Sequence, residues 1–276
     1  MGLFVAMAIA VSACANDAYA PEHTDQPGST SASRNLAGKS ITVFAASSLT
    51  AAFNEIGTKF EQETGAGVTF SFGGSSDLRA QLEQGAPADV FAPADAKQMG
   101  LAKDAAVVDS DGTIFALNRL VVIVPRENRA GVITLQDLAK PDVKIALADE
   151  NVPVGNYARQ FLDNASADPG YGSGYKDAVL ANVVTKAANV KEVAAAVQLD
   201  EVDAGVVYKT DVTPEIAQDV TTVEIPDVLN VIAIYPIALT TNGQAQAKDA
   251  AQAFISFVLS DAGQAILMSH GFLEAQ

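Results

Sequence analysis

The sequence predicts an α/β protein built as two lobes, each a mostly parallel sheet flanked by helices, with a ligand cleft between the lobes. Three observations carry this. Short apolar runs alternate with amphipathic helical segments, twice along the chain, as parallel sheets with right-handed crossovers require. Two long apolar runs, at residues 119–125 and 228–239, join the two alternating units. The corners between strands and helices are made of Ser, Gly and Asn, residues that favour turns and helix caps.

The elements follow in order. SITVFAA (residues 40–46) reads as a short buried strand. In the segment after it, Leu49, Ala52, Phe53, Ile56 and Phe60 fall on one helical face, and Gly65 is the expected stop. VTFSF (68–72) is a second strand, and SDLRAQLEQG (76–85) a second helix with Leu78 and Leu82 inward. ADVFAPAD (88–95) is a third strand, whose Asp89 and Asp95 are expected to close the strand and cap a helix. After a loop comes the strongly apolar RLVVIVP (119–125). The second unit reads as VKIALAD (143–149), GNYARQFLDNA (155–165), NVKEVAAAVQLDE (189–201) and DAGVVY (203–208). ASADPGYGSGYKD (165–177) is expected to be a surface loop. VLNVIAIYPIAL (228–239) is another long strand, and helices at 247–259 and 262–269 close the chain. The expected lobes are therefore residues 40–118 with 236–276, and residues 119–235.

Ahead of these elements the character differs. Residues 1–14 are apolar from Leu3 to Val11 and end in Val11-Ser12-Ala13-Cys14, the small-residue pattern before a bacterial lipoprotein cysteine. This predicts a signal segment and a lipid on Cys14; a buried structural cysteine is the alternative. No Lys or Arg precedes the apolar run, which predicts a translation start upstream of Met1. Residues 15–39 are small, polar and broken by Pro and Gly, and read as a disordered tether that includes His23.

Composition limits the function classes. Of 276 residues, 49% are hydrophobic, enough for a large core. No apolar run reaches the length of a transmembrane helix. A net charge of -16 makes the chain a poor general binder of nucleic acid or anionic membrane. It does not exclude an anionic ligand, because a site is governed by local dipoles. With one cysteine there is no disulfide framework, and no His/Cys cluster offers a metal site.

Four corners stand out as possible chemistry. FAASSL places Ser47 and Ser48 before the first helix, and FGGSSDL places Ser75 and Ser76 before the second. ENVPVGNYA puts Val154 at another helix start, and AANVKEV puts Asn189 at an N-cap with Val190 after it. Each is a helix N-terminus, with orphan N–H donors and the positive end of a dipole. Such termini bind anions. The first two are expected on one rim of the first lobe, the other two on the facing rim of the second. A serine N-cap is ordinary, contributing about 1 kcal/mol of helix stability. The residues alone leave cap and anion site open. Serine-based hydrolysis is the enzymatic alternative, but it needs a base near the serine, and the only histidines are His23 and His270. GGSSD also lacks the pattern of a nucleophile elbow. A structural or adhesion lipoprotein is a third class.

ITVFAASSLTAAF, FSFGGSSDLRAQLEQGAPADVFAPAD, NVPVGNYA, DAGVVY and DAGQAILMSHGF occur in that order. Together they resemble the molybdate-binding proteins of bacterial ABC importers, over residues 40–272. The resemblance implies a periplasmic-binding-protein fold of type II. It implies an extracytoplasmic, monomeric receptor, not an enzyme and without a cofactor. The receptor would be anchored to the membrane through Cys14 and would deliver molybdate or tungstate to a membrane permease. Sulfate or another tetrahedral oxyanion is the alternative ligand. It further implies that Ser48, Ser75 and Tyr208 donate hydroxyls to the oxyanion, that Val154 and Val190 donate N–H groups, and that Ser47, Ser76 and Asn189 support them. Val154 stands where a smaller residue is commoner, and Asp77 places a carboxylate, expected to face solvent, in the first turn of an anion-binding helix.

Overall fold

The structure is a computed structural model that describes residues 1–3 and 36–275. Cys14, His23 and residues 15–35 of the expected tether lie outside the described residues. The chain divides into Met1–Ser33 and Arg34–Gln276, and the second unit holds the elements that follow.

In chain order these are β1 (Ser40–Ala46), α1 (Thr50–Thr64), β2 (Gly67–Gly73), α2 (Ser75–Glu83), β3 (Val90–Ala92), α3 (Ala96–Asp104), β4 (Thr113–Asn118) and β5 (Leu120–Pro125). Next come β6 (Ile145–Ala148), α4 (Pro153–Ala167), α5 (Tyr175–Ala181), β7 (Val183–Ala187), α6 (Val190–Gln198), β8 (Ala204–Tyr208) and β9 (Val220–Glu224). β10 (Ala233–Leu239), α7 (Lys248–Val258) and α8 (Asp261–Ser269) complete the fold.

Two five-stranded sheets result, with orders β2-β1-β3-β10-β4 and β7-β6-β8-β5-β9. In the first, β2, β1 and β3 pair in parallel, and β10 runs antiparallel to both β3 and β4. In the second, β7, β6 and β8 pair in parallel, and β5 runs antiparallel to both β8 and β9. Four strands of each sheet therefore share one direction. In each sheet the reversed strand is the first laid down after the chain crosses from the other sheet. β4 passes to β5 through Arg119 alone, and the return runs from β9 to β10.

The burial pattern explains the order. β5 (LVVIVP) is buried along its whole length, as an interior strand must be. β2, β7 and β9 are edge strands with few buried residues. On the first sheet, α1 buries Phe53, Ile56 and Phe60, and Phe254 of α7 meets Phe53 and Phe60 edge-on at centroid distances of 5.9 and 5.4 Å. α1 ends at Gly65, whose φ of 74° is the left-handed stop expected there.

Several sequence expectations need correction. The tether does not extend to residue 39: Leu36 is buried in the core, its N–H donates to the Thr64 carbonyl, and Lys39 pairs with Asp249. The expected loop at 165–177 shrinks to 168–174, because α4 continues to Ala167 and α5 opens at Tyr175. The return to the first sheet starts at Ala233, three residues before the expected 236. Asp95 behaves as expected, whereas Asp89 stands just ahead of β3 and does not close a strand. Asp89 accepts from the N–H groups of Thr42 and Gln244, and Asp95 caps α3 by accepting from Gln98 N–H.

Candidate functional site

The four corners converge. Ser47, Ser48, Gly74 and Ser75 from the first sheet's side, and Val154, Asn189, Val190 and Tyr208 from the second, line one narrow cleft with a cavity volume of about 10 Å³. This is far below the ~300–1,000 Å³ of sites for drug-sized ligands and leaves room for about one water-sized group, so the two walls stand nearly closed on each other. Ala46, Gly73, Ala94, Val152 and Pro153 complete the wall. Ser76 is half-buried and is not part of it. A wider hollow of about 210 Å³ lies beside Asp89, Thr240 and Lys248, but the Asp89 carboxylate there is already satisfied on both oxygens by backbone N–H groups.

Each wall residue is placed by local chemistry. Ser47 and Ser48 sit in a 3-10 turn ahead of α1, closed by the Thr50 hydroxyl on the Ser47 carbonyl at 2.6 Å. Ser75 opens α2, and the first backbone bonds of that helix run from Asp77 and Leu78 N–H to the Gly74 carbonyl. The N–H groups of Ser75 and Ser76 thus precede the helical ladder. Val154 follows Pro153 in the first turn of α4, where an N–H has no intrahelical acceptor. Asn189 caps α6 by accepting from Glu192 N–H at 3.1 Å, leaving Val190 as the first helical residue.

The glycines of the second corner have a reason that the sequence did not disclose. A Cβ on Gly74 would stand 2.3 Å from the Ala188 carbonyl oxygen on the opposite wall, whereas one on Gly73 would meet only Leu78 at an ordinary 3.5 Å. Gly74 is bare because the other lobe closes onto it. Gln98, which sequence reasoning missed, bridges the same gap: its Nε2 donates to the Asn151 carbonyl at 2.9 Å.

The wall carries no Lys, Arg, Asp, Glu or His. The nearby charges are turned elsewhere. Arg79 donates to Gln98 and pairs with Glu83, and Asp77 is exposed. Lys191 Nζ lies 3.1 Å from Oδ1 of fully buried Asp211. That contact is an ion pair and not a well-aimed hydrogen bond, since Oδ1 has no directed donor. Oδ2 accepts from Tyr208 N–H at 3.2 Å. Burial raises the Asp211 pKa, against the opposing pull of Lys191.

Both serine oxygens are already engaged. Ser75 Oγ accepts from Ala94 N–H at 3.1 Å, and Ser48 Oγ lies 3.0 Å from Tyr235 Oη. Tyr208 differs. Its side chain is fully buried, and its hydroxyl has no hydrogen-bond partner among the described residues. Burial also holds its pKa well above the usual tyrosine value, so it is a proton donor at neutral pH. His270 is remote from the wall and bonds to Glu55.

A two-lobed α/β body with a small cleft between the lobes, into which serine and tyrosine side chains and helix starts converge, defines a ligand receptor of the periplasmic-binding class. The bacterial extracellular solute-binding protein family matches residues 41–273, and the chain belongs to that family. The molybdate-binding protein ModA of Mycobacterium tuberculosis is 33% identical over 250 residues, 90% of each chain. Among solved structures, the substrate-binding domain of a putative molybdenum ABC transporter from Clostridium difficile is 30% identical. It covers 86% of this chain and 99% of its own, with a TM-score of 0.61. The periplasmic molybdate-binding protein of Azotobacter vinelandii shares the fold with a TM-score of 0.73 at 21% identity, over 86% of this chain and all of its own.

Proposed function

We propose that this chain is the extracytoplasmic receptor of an ABC importer, capturing molybdate and, because it is nearly isosteric, tungstate, for delivery to a membrane permease. The observation that carries the reading is Tyr208. A fully buried hydroxyl without a partner costs about 1–3 kcal/mol. An oxyanion in the cleft relieves that cost. Ser48 and Ser75 would add hydroxyl donors, and Val154 and Val190 would add N–H donors at the positive ends of α4 and α6. Ser47, Ser76 and Asn189 would support them.

The chemistry favours a full dianion. All these donors are neutral, and the wall offers no carboxylate to accept from a protonated ligand. Hydrogenphosphate would bring a hydroxyl without an acceptor and is rejected. Sulfate has shorter bonds and reaches donors on both lobes poorly. With no base in the wall, the site binds without turnover. The receptor acts as a monomer, held to the membrane by a lipid on Cys14.

Thermal unfolding in the presence of each anion tests the reading. At a hundredfold over its dissociation constant, molybdate is expected to stabilise the fold by about 2.7 kcal/mol. A larger rise in Tm with phosphate or sulfate would contradict the ligand assignment. For the anchor, Cys14→Ser is expected to release the protein from membranes, and wild-type protein recovered in the cytoplasm would contradict it.

A further inference from the structure

We propose that Tyr235, oriented by Asn118, is a positioning residue that fixes the direction of the Ser48 hydroxyl proton. The inference rests on the oxyanion reading of the cleft.

The argument begins at the crossing between the sheets. Asn118 ends β4, is buried, and its Oδ1 accepts from Arg119 N–H at 2.9 Å. That bond fixes the amide, because flipping it would set donor against donor. Nδ2 must then face Thr210 Oγ1 at 2.8 Å and Tyr235 Oη at 3.4 Å. Tyr235 therefore accepts from Asn118, and its own proton needs an acceptor. Tyr235 is fully buried, and Ser48 Oγ, at 3.0 Å, is its other hydrogen-bond partner among the described residues. The Tyr235 proton goes to Ser48. The Ser48 proton is left for the cleft, so Ser48 faces the site with its donor, one of its two lone pairs being already used by Tyr235. A register shift between Tyr235 and Pro236 on β10 bends the strand at the residue whose hydroxyl must be aimed.

Ser75 is loaded in the same sense by Ala94 N–H. Both serines are thus held as donors by the protein, which sharpens discrimination against a ligand that itself needs an acceptor.

The test is a double-mutant cycle read by calorimetric titration with molybdate and with phosphate. In wild type, Ser48→Ala is expected to weaken molybdate binding about tenfold. In a Tyr235→Phe background Ser48 is free to rotate, and the same change is expected to cost about threefold or less. Its freed lone pair can also accept, so the preference for molybdate over phosphate narrows. Asn118→Asp gives a second background of the same shape. Its carboxylate draws the Tyr235 proton away, Ser48 gives its proton to Tyr235, and Ser48→Ala then costs nothing further. Equal costs of Ser48→Ala in all backgrounds, with unchanged preference, would overturn the relay while leaving the oxyanion site standing. Failure of wild type to bind any tetrahedral oxyanion would overturn the site reading, and the relay with it.

Discussion

Gln98 on α3 donates its amide to the carbonyl of Asn151, beside the start of α4, at 2.9 Å across the cleft. The amide is held in place from its own side. Its oxygen accepts from Arg79 Nε at 2.8 Å, and its backbone N–H bonds to Asp95 at 2.7 Å. The bond therefore belongs to the form in which the lobes meet. Gln98→Leu removes it without touching the cleft wall. The expected result is a loss of about 1 kcal/mol in ligand affinity, mostly through faster release. Stopped-flow dissociation checks this, and an unchanged off-rate would show that the contact is incidental.

Gly74→Ala probes closure from the other direction. The Gly74 backbone, at φ -63° and ψ 131°, suits alanine, so the open protein tolerates the methyl group. Closure drives that methyl onto the Ala188 carbonyl. Affinity is expected to fall at least about tenfold while the Tm of ligand-free protein stays nearly constant. Equal affinity would mean that the two walls do not meet when ligand binds.

The donors themselves are tested by Ser75→Ala and Tyr208→Phe, each expected to cost about 1–3 kcal/mol of binding. Tyr208→Phe is also expected to stabilise the empty protein, since it removes a buried hydroxyl that has no partner. Ser110→Ala, in an exposed loop where the hydroxyl bonds only Asp109 and Gly112, is the control and is expected to change nothing.

Asp211 gives a pH signature. Its folded pKa is raised by burial above the ordinary 3.8, so the folded state holds the proton more tightly than the unfolded chain. Its contribution to stability therefore falls as pH rises from 3.8 through the raised value, and the cost of burying the charge is fully present above it. Asp211→Asn lacks that dependence. The Tm of the variant minus that of wild type is expected to grow more positive with rising pH across this window. A difference independent of pH would show that Lys191 fully offsets the burial.

Much of the fold was legible because interior strands and amphipathic helices write their periods plainly. β1, β5 and β10, and the apolar faces of α1, α2, α4 and α6, are of this kind. β7 and β9 were not legible, since VVTKA and VTTVE are half-exposed edges with weak apolar content. β4 and the short α5 carry no such signal either, and α3 is marked only by its cap, Asp95. At the site, the serines, Asn189 and Tyr208 were marked by helix-start chemistry and by the resemblance. Gln98, Tyr235 and Asn118 carry no local signal. Gln98 looks like any helical glutamine, Tyr235 lies inside an apolar strand, and Asn118 ends a strand whose sequence reads as loop. Their roles come from long-range contacts, 53 residues apart for Gln98 and Asn151 and 187 for Ser48 and Tyr235, which no window along the chain displays.

The central claim is that a cleft of neutral donors, completed by the Tyr208 hydroxyl, holds a tetrahedral dianion. Calorimetric titration of the purified protein against molybdate, tungstate, sulfate and phosphate tests it most directly. The account predicts tight one-to-one binding of molybdate and tungstate, weak binding of sulfate, and no heat with phosphate. Preference for phosphate, or no binding of any of the four, would contradict it.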